Sequence, residues 1–337
     1  MKSRTPNGRN YTGRVEGAAI LFPCRGAMCM PCSPLRGRPV VRLVALAALF
    51  GALAGCEALR FDVPAPNTRV DVAPPPSAVA ITPVSTAPPG KKHTRGAYYV
   101  LYHDFEIDKT DPLFAELDAL PDQVFGELRL PPSNGIVQVF LFDTQERYER
   151  YMRAKYRNLP PRRAYFIAEP RAGGTDELKI FTWLGDHLST DLRHELTHAL
   201  LRSVLKDVPL WLDEGLAGYF ELPPHQDGVN PQHLDTLRRG PFQPDLARLE
   251  KLKDVAEMQK PEYREAWAWV HLMLRTGPGA KKVLHDYLQA LRTDPNPGPL
   301  LPKLREVVPE PEQALADYLA TVEMPKPRTK TRASTPK

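Results

Sequence analysis

The chain has 337 residues, enough for one or two domains, and a formal net charge of +5. That charge is uneven: residues 1–55 carry +7, Met324 to Lys337 hold five basic residues and no acid, and the stretch between them carries −7. The body is therefore mildly acidic, with no basic face to suggest a nucleic-acid partner.

Behind Arg36, Arg38 and Arg42 runs an eleven-residue apolar stretch, Leu43 to Leu53, with the form of a charged n-region followed by an h-region. It is too short for a spanning helix, which needs about 20 apolar residues. The run ends in Leu53-Ala54-Gly55-Cys56, which resembles a bacterial lipobox. The resemblance implies cleavage before Cys56, lipidation of that residue and a chain anchored to a membrane of the bacterial cell envelope, on its periplasmic or extracellular face. Residues 1–55 are then a lipoprotein signal peptide, with Met28 and Met30 as alternative starts. The remaining cysteines, Cys24, Cys29 and Cys32, lie upstream of the cut, so the mature chain has no disulfide framework. Cys29-Met-Pro-Cys32 has the spacing of redox and zinc sites but falls in the part to be removed. Residues 56–95 read as a tether: Phe61 to Gly90 contains eight prolines and almost no periodicity, the composition of an extended spacer.

The folded body begins near Gly96. Ala97–Tyr102 (AYYVLY) is β-rich, and Pro112 to Glu127 has helical apolar spacing with Pro121 as a break. After the Asn134-Gly135 turn signal, Ile136–Phe142 (IVQVFLF) reads as a buried strand. Asp143 and Glu146 have capping-box spacing for a helix through Lys155. Ala164–Ala168 and Leu178–Trp183 are further strands around a Gly173-Gly174 turn, and Leu178–Trp183 is the expected sheet edge. Past Pro224 the chain reads as helical to about Val322, with His225 and His233 in polar, turn-like sequence and expected in solvent. Strands interleaved with helices, then helices alone, imply an α+β fold. Residues 96–230 form the sheet-bearing lobe, residues 231–323 a helical lobe across a cleft, and residues 324–337 a disordered basic tail.

Between them lies Leu192 to Phe220, LRHELTHALLRSVLKDVPLWLDEGLAGYF. Positions i and i+4 of a helix share a face, so His194 and His198 of HELTH aim two imidazoles at one point. Glu195 is rotated about 100° from His194, beside that point. HExxH on a helix is a two-histidine zinc site with a glutamate base. A catalytic zinc takes three protein ligands and keeps one open position, and Glu214, on a second helix opened by Pro209, is the third candidate. Leu192, Leu196, Ala199 and Leu200 fall roughly opposite the ligands and pack. Gly215 and Gly218 each cost about 1 kcal/mol against Ala in a helix, and close approach to the first helix is the expected reason for them.

HELTH followed by WLDEGLA resembles the HExxH and ExxA pair of the gluzincin metallopeptidases, nearest to small bacterial peptidase MA-like proteins. The resemblance spans roughly Ala97 to Leu291 and is strong only at the two motifs. It implies a zincin-like lobe, a mixed sheet backed by the HExxH helix. It implies Zn2+ held by His194, His198 and Glu214, with Glu195 as general base, and a peptide or protein substrate cut by a monomer. Leu201 and Val204 stand where the metzincin variant needs Gly and His. Gly218 stands where some gluzincins place an aspartate behind a ligand histidine. Tyr263, by its place on a C-terminal helix, is the candidate oxyanion donor, with Tyr219 and His271 next in line. Gly26-Ala27-Met28-Cys29-Met30 lacks the glutamate of the aminopeptidase GxMEN motif, which favours an endopeptidase or oligopeptidase. The alternative is a non-catalytic zinc-binding lipoprotein acting as an envelope binding or scaffold module.

Overall fold

The computed structural model of the chain describes residues 86–171, Gly174 and residues 176–325, together with the backbone of Ile20–Pro23. The described residues belong to one compact unit, and residues 28–84 lie outside the described residues. Cys56, the apolar run before it, Cys29 and Cys32, most of the tether and the basic tail beyond Pro325 are therefore not among the described residues. Among the described residues no helix is long and apolar enough to cross a membrane.

The elements run in the order β1 (Ile20–Pro23), β2 (Lys92–Arg95), β3 (Tyr99–His103), α1 (Pro112–Leu128), β4 (Val137–Phe142), α2 (Gln145–Lys155), β5 (Ala164–Glu169), β6 (Glu177–Trp183), α3 (Leu188–Val204) and α4 (Leu210–Phe220). Then come α5 (Pro231–Arg239), α6 (Leu246–Leu249), α7 (Lys260–Arg275), α8 (Pro278–Leu291), α9 (Leu301–Arg305) and α10 (Pro311–Thr321). The fold is α+β, and its sheet is mixed, in the order β1-β5-β6-β4-β3-β2. β3, β4 and β6 are parallel, while β5 runs antiparallel to β6 and β2 antiparallel to β3. β1 falls in the stretch read as signal peptide and lies antiparallel on β5, Ile20 opposite Ala168 and Pro23 opposite Tyr165.

Strand periodicity sorts the side chains of β5 to two faces. Tyr165 and Ile167 join Phe142, Tyr148, Tyr151, Met152 and Phe181 in a cluster under α2. Phe166 and Ala168 join the main core, which continues through α1, α3, α4, α7 and α8. α3 packs on β5 and β6, so the HELTH helix is fixed by the sheet on one side and by α1 and α4 on others.

Several expectations need correction. Leu178–Trp183 belongs to β6, which is paired on both sides and is no edge. α1 runs through Pro121 without a break. The cap of α2 is Thr144, whose hydroxyl accepts from the Arg147 N–H at 3.3 Å, in place of the Asp143/Glu146 box. β2 lies in the tail of the expected tether, because Asp104 accepts from the N–H groups of Gly90 and Lys91 at 2.9 and 2.8 Å and draws that segment onto the body. His233 is buried against the Trp267 ring at 5.3 Å, while His225 is exposed as expected. The helices after Pro224 contribute to the same main core as the sheet-bearing part.

The glycines of α4 serve a different neighbour from the one expected. A Cβ on Gly215 would stand 2.6 Å from the Ala266 carbonyl oxygen, and one on Gly218 would meet the Trp267 Cβ at 3.8 Å. Both contacts are with α7, not α3. The bare backbone at Gly215 lets α7 lie directly against α4, and this contact holds the carboxylate-bearing helix in place.

Candidate metal centre

α3 is buried along its middle: every residue from Asp191 to Leu201 is shielded from solvent. Such a helix is expected to be apolar all round, yet this one carries Asp191, Arg193, His194, Glu195 and His198 inward. Each needs a partner, because a buried charge or polar group without one is costly. Asp191 takes the Arg163 guanidinium at 2.8 Å. Arg193 donates to the Leu222 carbonyl at 2.8 Å and to Gln123 Oε1 at 3.1 Å, tying α3 to the end of α4 and to α1.

The two histidines and Glu214 come together as the spacing predicts. Their potential ligand atoms all lie within 4.8 Å of one another, and all three residues are buried. His194 Nε2 is 3.4 Å and His198 Nε2 3.8 Å from the same oxygen, Glu214 Oε2. Ligand atoms about 2.0–2.2 Å from a tetrahedral ion stand roughly 3.4 Å apart, so the spacing suits a shared cation. His194 Nε2 and both Glu214 oxygens are fully buried and make no hydrogen bond to the protein. Two imidazole nitrogens and a carboxylate converging on one buried point fit a metal ion. This buried group could hold one.

The back of each imidazole meets a carboxylate. His194 Nδ1 donates to Glu221 Oε2 at 2.9 Å. His198 Nδ1 lies 2.7 Å from Asp213 Oδ2. A carboxylate behind a ligating imidazole fixes its tautomer and makes its other nitrogen a better donor to metal. Burial alone pulls the His194 pKa down, but Glu214 and Glu221 outweigh it and raise it to about 10. His198 is raised likewise, Asp213 and Glu214 overcoming its burial. Burial dominates at Asp213 and raises its pKa despite His198 beside it.

Glu195 is fully buried on α3 next to His194. Tyr263 is buried near the start of α7, and its hydroxyl accepts from Arg162 at 3.5 Å. Tyr219 pairs with Arg275 and lines a cavity of about 280 Å³ with Arg193, Glu127 and Asp227. His271 packs between Trp267 and Tyr318, whose hydroxyl is 2.8 Å from its Nδ1.

Sequence reasoning missed Glu221 and Asp213. Asp213 sat in plain view beside Glu214. Glu221 had a usable signal: an acid at the C-terminal end of a helix is disfavoured by the helix dipole, so its presence there asks for another partner. Compared with known proteins, the chain matches no family model and no curated protein sequence.

Proposed function

We propose that the protein is a zinc-dependent peptidase of gluzincin type, with a zincin-like sheet and helix around His194, His198 and Glu214. The observation that carries this reading is the buried convergence of two imidazole Nε2 atoms and one carboxylate, with a glutamate one residue from a ligand. Zinc in such a site supplies a water that ionises near neutral pH and polarises the scissile carbonyl. With the metal bound, Glu195 would serve as the general base toward the attacking water and as the proton donor to the leaving amine. Asp213 and Glu221 keep both imidazoles oriented. Tyr263, with Arg162 at its hydroxyl, is the candidate donor to the developing oxyanion.

The substrate is a peptide or protein segment in extended form. With β6 inside the sheet, the strand for peptide addition is β5, whose outer side pairs with Ile20–Pro23. Cleavage before Cys56 takes that segment away and leaves the hydrogen-bonding groups of β5 to an incoming strand. Lipid on Cys56 would hold the monomer at a membrane of the cell envelope. Mass spectrometry of the N-terminal peptide checks this, and an unmodified Cys56 inside a longer peptide would end the idea.

The test of the reaction is Glu195→Gln in the full chain. Gln keeps shape and hydrogen bonding but cannot accept the proton. The variant should keep zinc content and melting temperature while casein cleavage falls by about 10²–10⁴. Equal cleavage by both proteins, insensitive to a chelator, would overturn the mechanism. Bound zinc without cleavage of any peptide by the natural sequence would favour the binding-module alternative.

A further inference from the structure

Glu221 does more than touch His194. Its two carboxylate oxygens are divided between two donors: Oε2 accepts from His194 Nδ1 at 2.9 Å, and Oε1 accepts from Asn230 Nδ2 at 3.2 Å. All three residues are buried. A carboxylate held at one oxygen can still turn about its side-chain bonds. Held at both, by a ring and an amide, it has one orientation.

Asn230 is itself fixed. It is the N-cap of α5, and its Oδ1 accepts from the His233 N–H at 3.1 Å. That contact settles the sense of the amide, since only the carbonyl oxygen can accept and only the NH2 can donate to a carboxylate. One side chain thus caps a helix with one atom and orients a carboxylate with the other. The first role is common to Asn, Ser and Asp; the second needs the reach and the donor of Asn.

The arrangement also explains how the chain manages without an acid at position 218. Gly218 faces Trp267, and the carboxylate behind His194 comes instead from the end of α4. There it lies seven residues beyond Glu214, where the α4–α5 connection brings Asn230 to it. The contrast with His198 is clear. There the carboxylate comes from Asp213, the residue next to Glu214 on the same helix, at 2.7 Å from Nδ1.

We infer that Asn230 is a positioning residue for the metal centre, acting through Glu221 to hold the His194 ring in its ligating orientation. The inference rests on the reading of His194 as a metal ligand. Residues behind a ligating imidazole typically change metal affinity by about 10–100-fold when lost, and Asn230 acts one bond further out along the same line.

The test uses the full chain and Asn230→Ser, which keeps a good N-cap for α5 but cannot reach Glu221. Zinc affinity is measured by competition with a chromophoric chelator, and ligand geometry by the visible spectrum of the cobalt-substituted protein. Asn230→Ser should bind zinc about 10-fold more weakly or worse and show an altered cobalt spectrum. The melting temperature of its metal-free form should match that of the parent. In a Glu221→Gln background the same substitution should add no further loss, because the relay is already broken. Unchanged zinc affinity and cobalt spectrum in Asn230→Ser would overturn the inference and leave the metal site intact. If Asn230→Ser does not fold, Glu221→Gln decides: parental zinc affinity in that variant overturns the relay. Failure of the parent chain to bind zinc would instead sink the proposed function on which the relay depends.

Discussion

Two buried helices of this molecule, α3 and α7, each carry histidine into the core, with opposite results. On α7, His271 is wrapped by Trp267, Tyr219 and the Tyr318 hydroxyl. Burial, with the Arg275 charge adding to it, lowers its pKa to about 4, so it packs as a neutral ring. On α3, His194 and His198 have carboxylates behind them and a third carboxylate in front. Burial alone therefore says little about a histidine. What separates a potential ligand from a packing residue is which group faces each ring nitrogen.

The largest expected effect tests that distinction. Glu214→Ala leaves two protein ligands and should remove most zinc from the purified full chain, as read by metal analysis. His271→Ala, equally buried, should leave zinc content unchanged. Unaltered zinc in Glu214→Ala would separate that carboxylate from the metal and collapse the contrast between the helices.

Next in size is the contact that joins α4 to α7. Gly215→Ala forces a Cβ to 2.6 Å from the Ala266 carbonyl oxygen, an overpacking that should cost about 1–3 kcal/mol in denaturant unfolding. A smaller effect concerns pH. A histidine whose folded pKa lies at about 4, against 6.5 when free, stabilises the fold fully above pH 6.5. That contribution is lost as pH falls from 6.5 toward 4, at a slope of at most ~1.4 kcal/mol per pH unit. His271→Gln should flatten the fall in melting temperature over that window. An unchanged slope would mean that His271 is not held neutral. The smallest effect is at Gly218, where an added Cβ has ordinary room at 3.8 Å. Gly218→Ala should be neutral or stabilising by up to about 1 kcal/mol.

Legibility in the sequence followed the range of the interaction. The potential ligands were readable because i, i+4 spacing is a local property of one helix, and HELTH and WLDEGLA each sit within one turn or two. β4, β5 and β6 were readable from their apolar runs, with β5 buried at five of its six positions. Strand order was not, because parallel crossovers leave no mark on local pattern, and so β6 was misplaced at the edge. β2 (KHTR) has no apolar alternation and exists as a strand because Asp104, well downstream, captures Gly90 and Lys91. Glu221 left a hint in its place at a helix C-terminus, but its partners could not be read for the same reason: His194 lies 27 residues before it and Asn230 nine after it, and only the fold brings the three together.

The packing of α7 on α4 also bears on time. All three potential ligands have been made once Glu214 is added, but the helix that Gly215 fits against is finished only at Arg275. At about 5–20 residues per second, synthesis of that interval takes roughly 3–12 s. A chain that folded as it emerged would spend those seconds with its ligand set complete and the glycine face of α4 bare. The order of the sequence thus favours folding after the whole body is available, when ligands and wall close together.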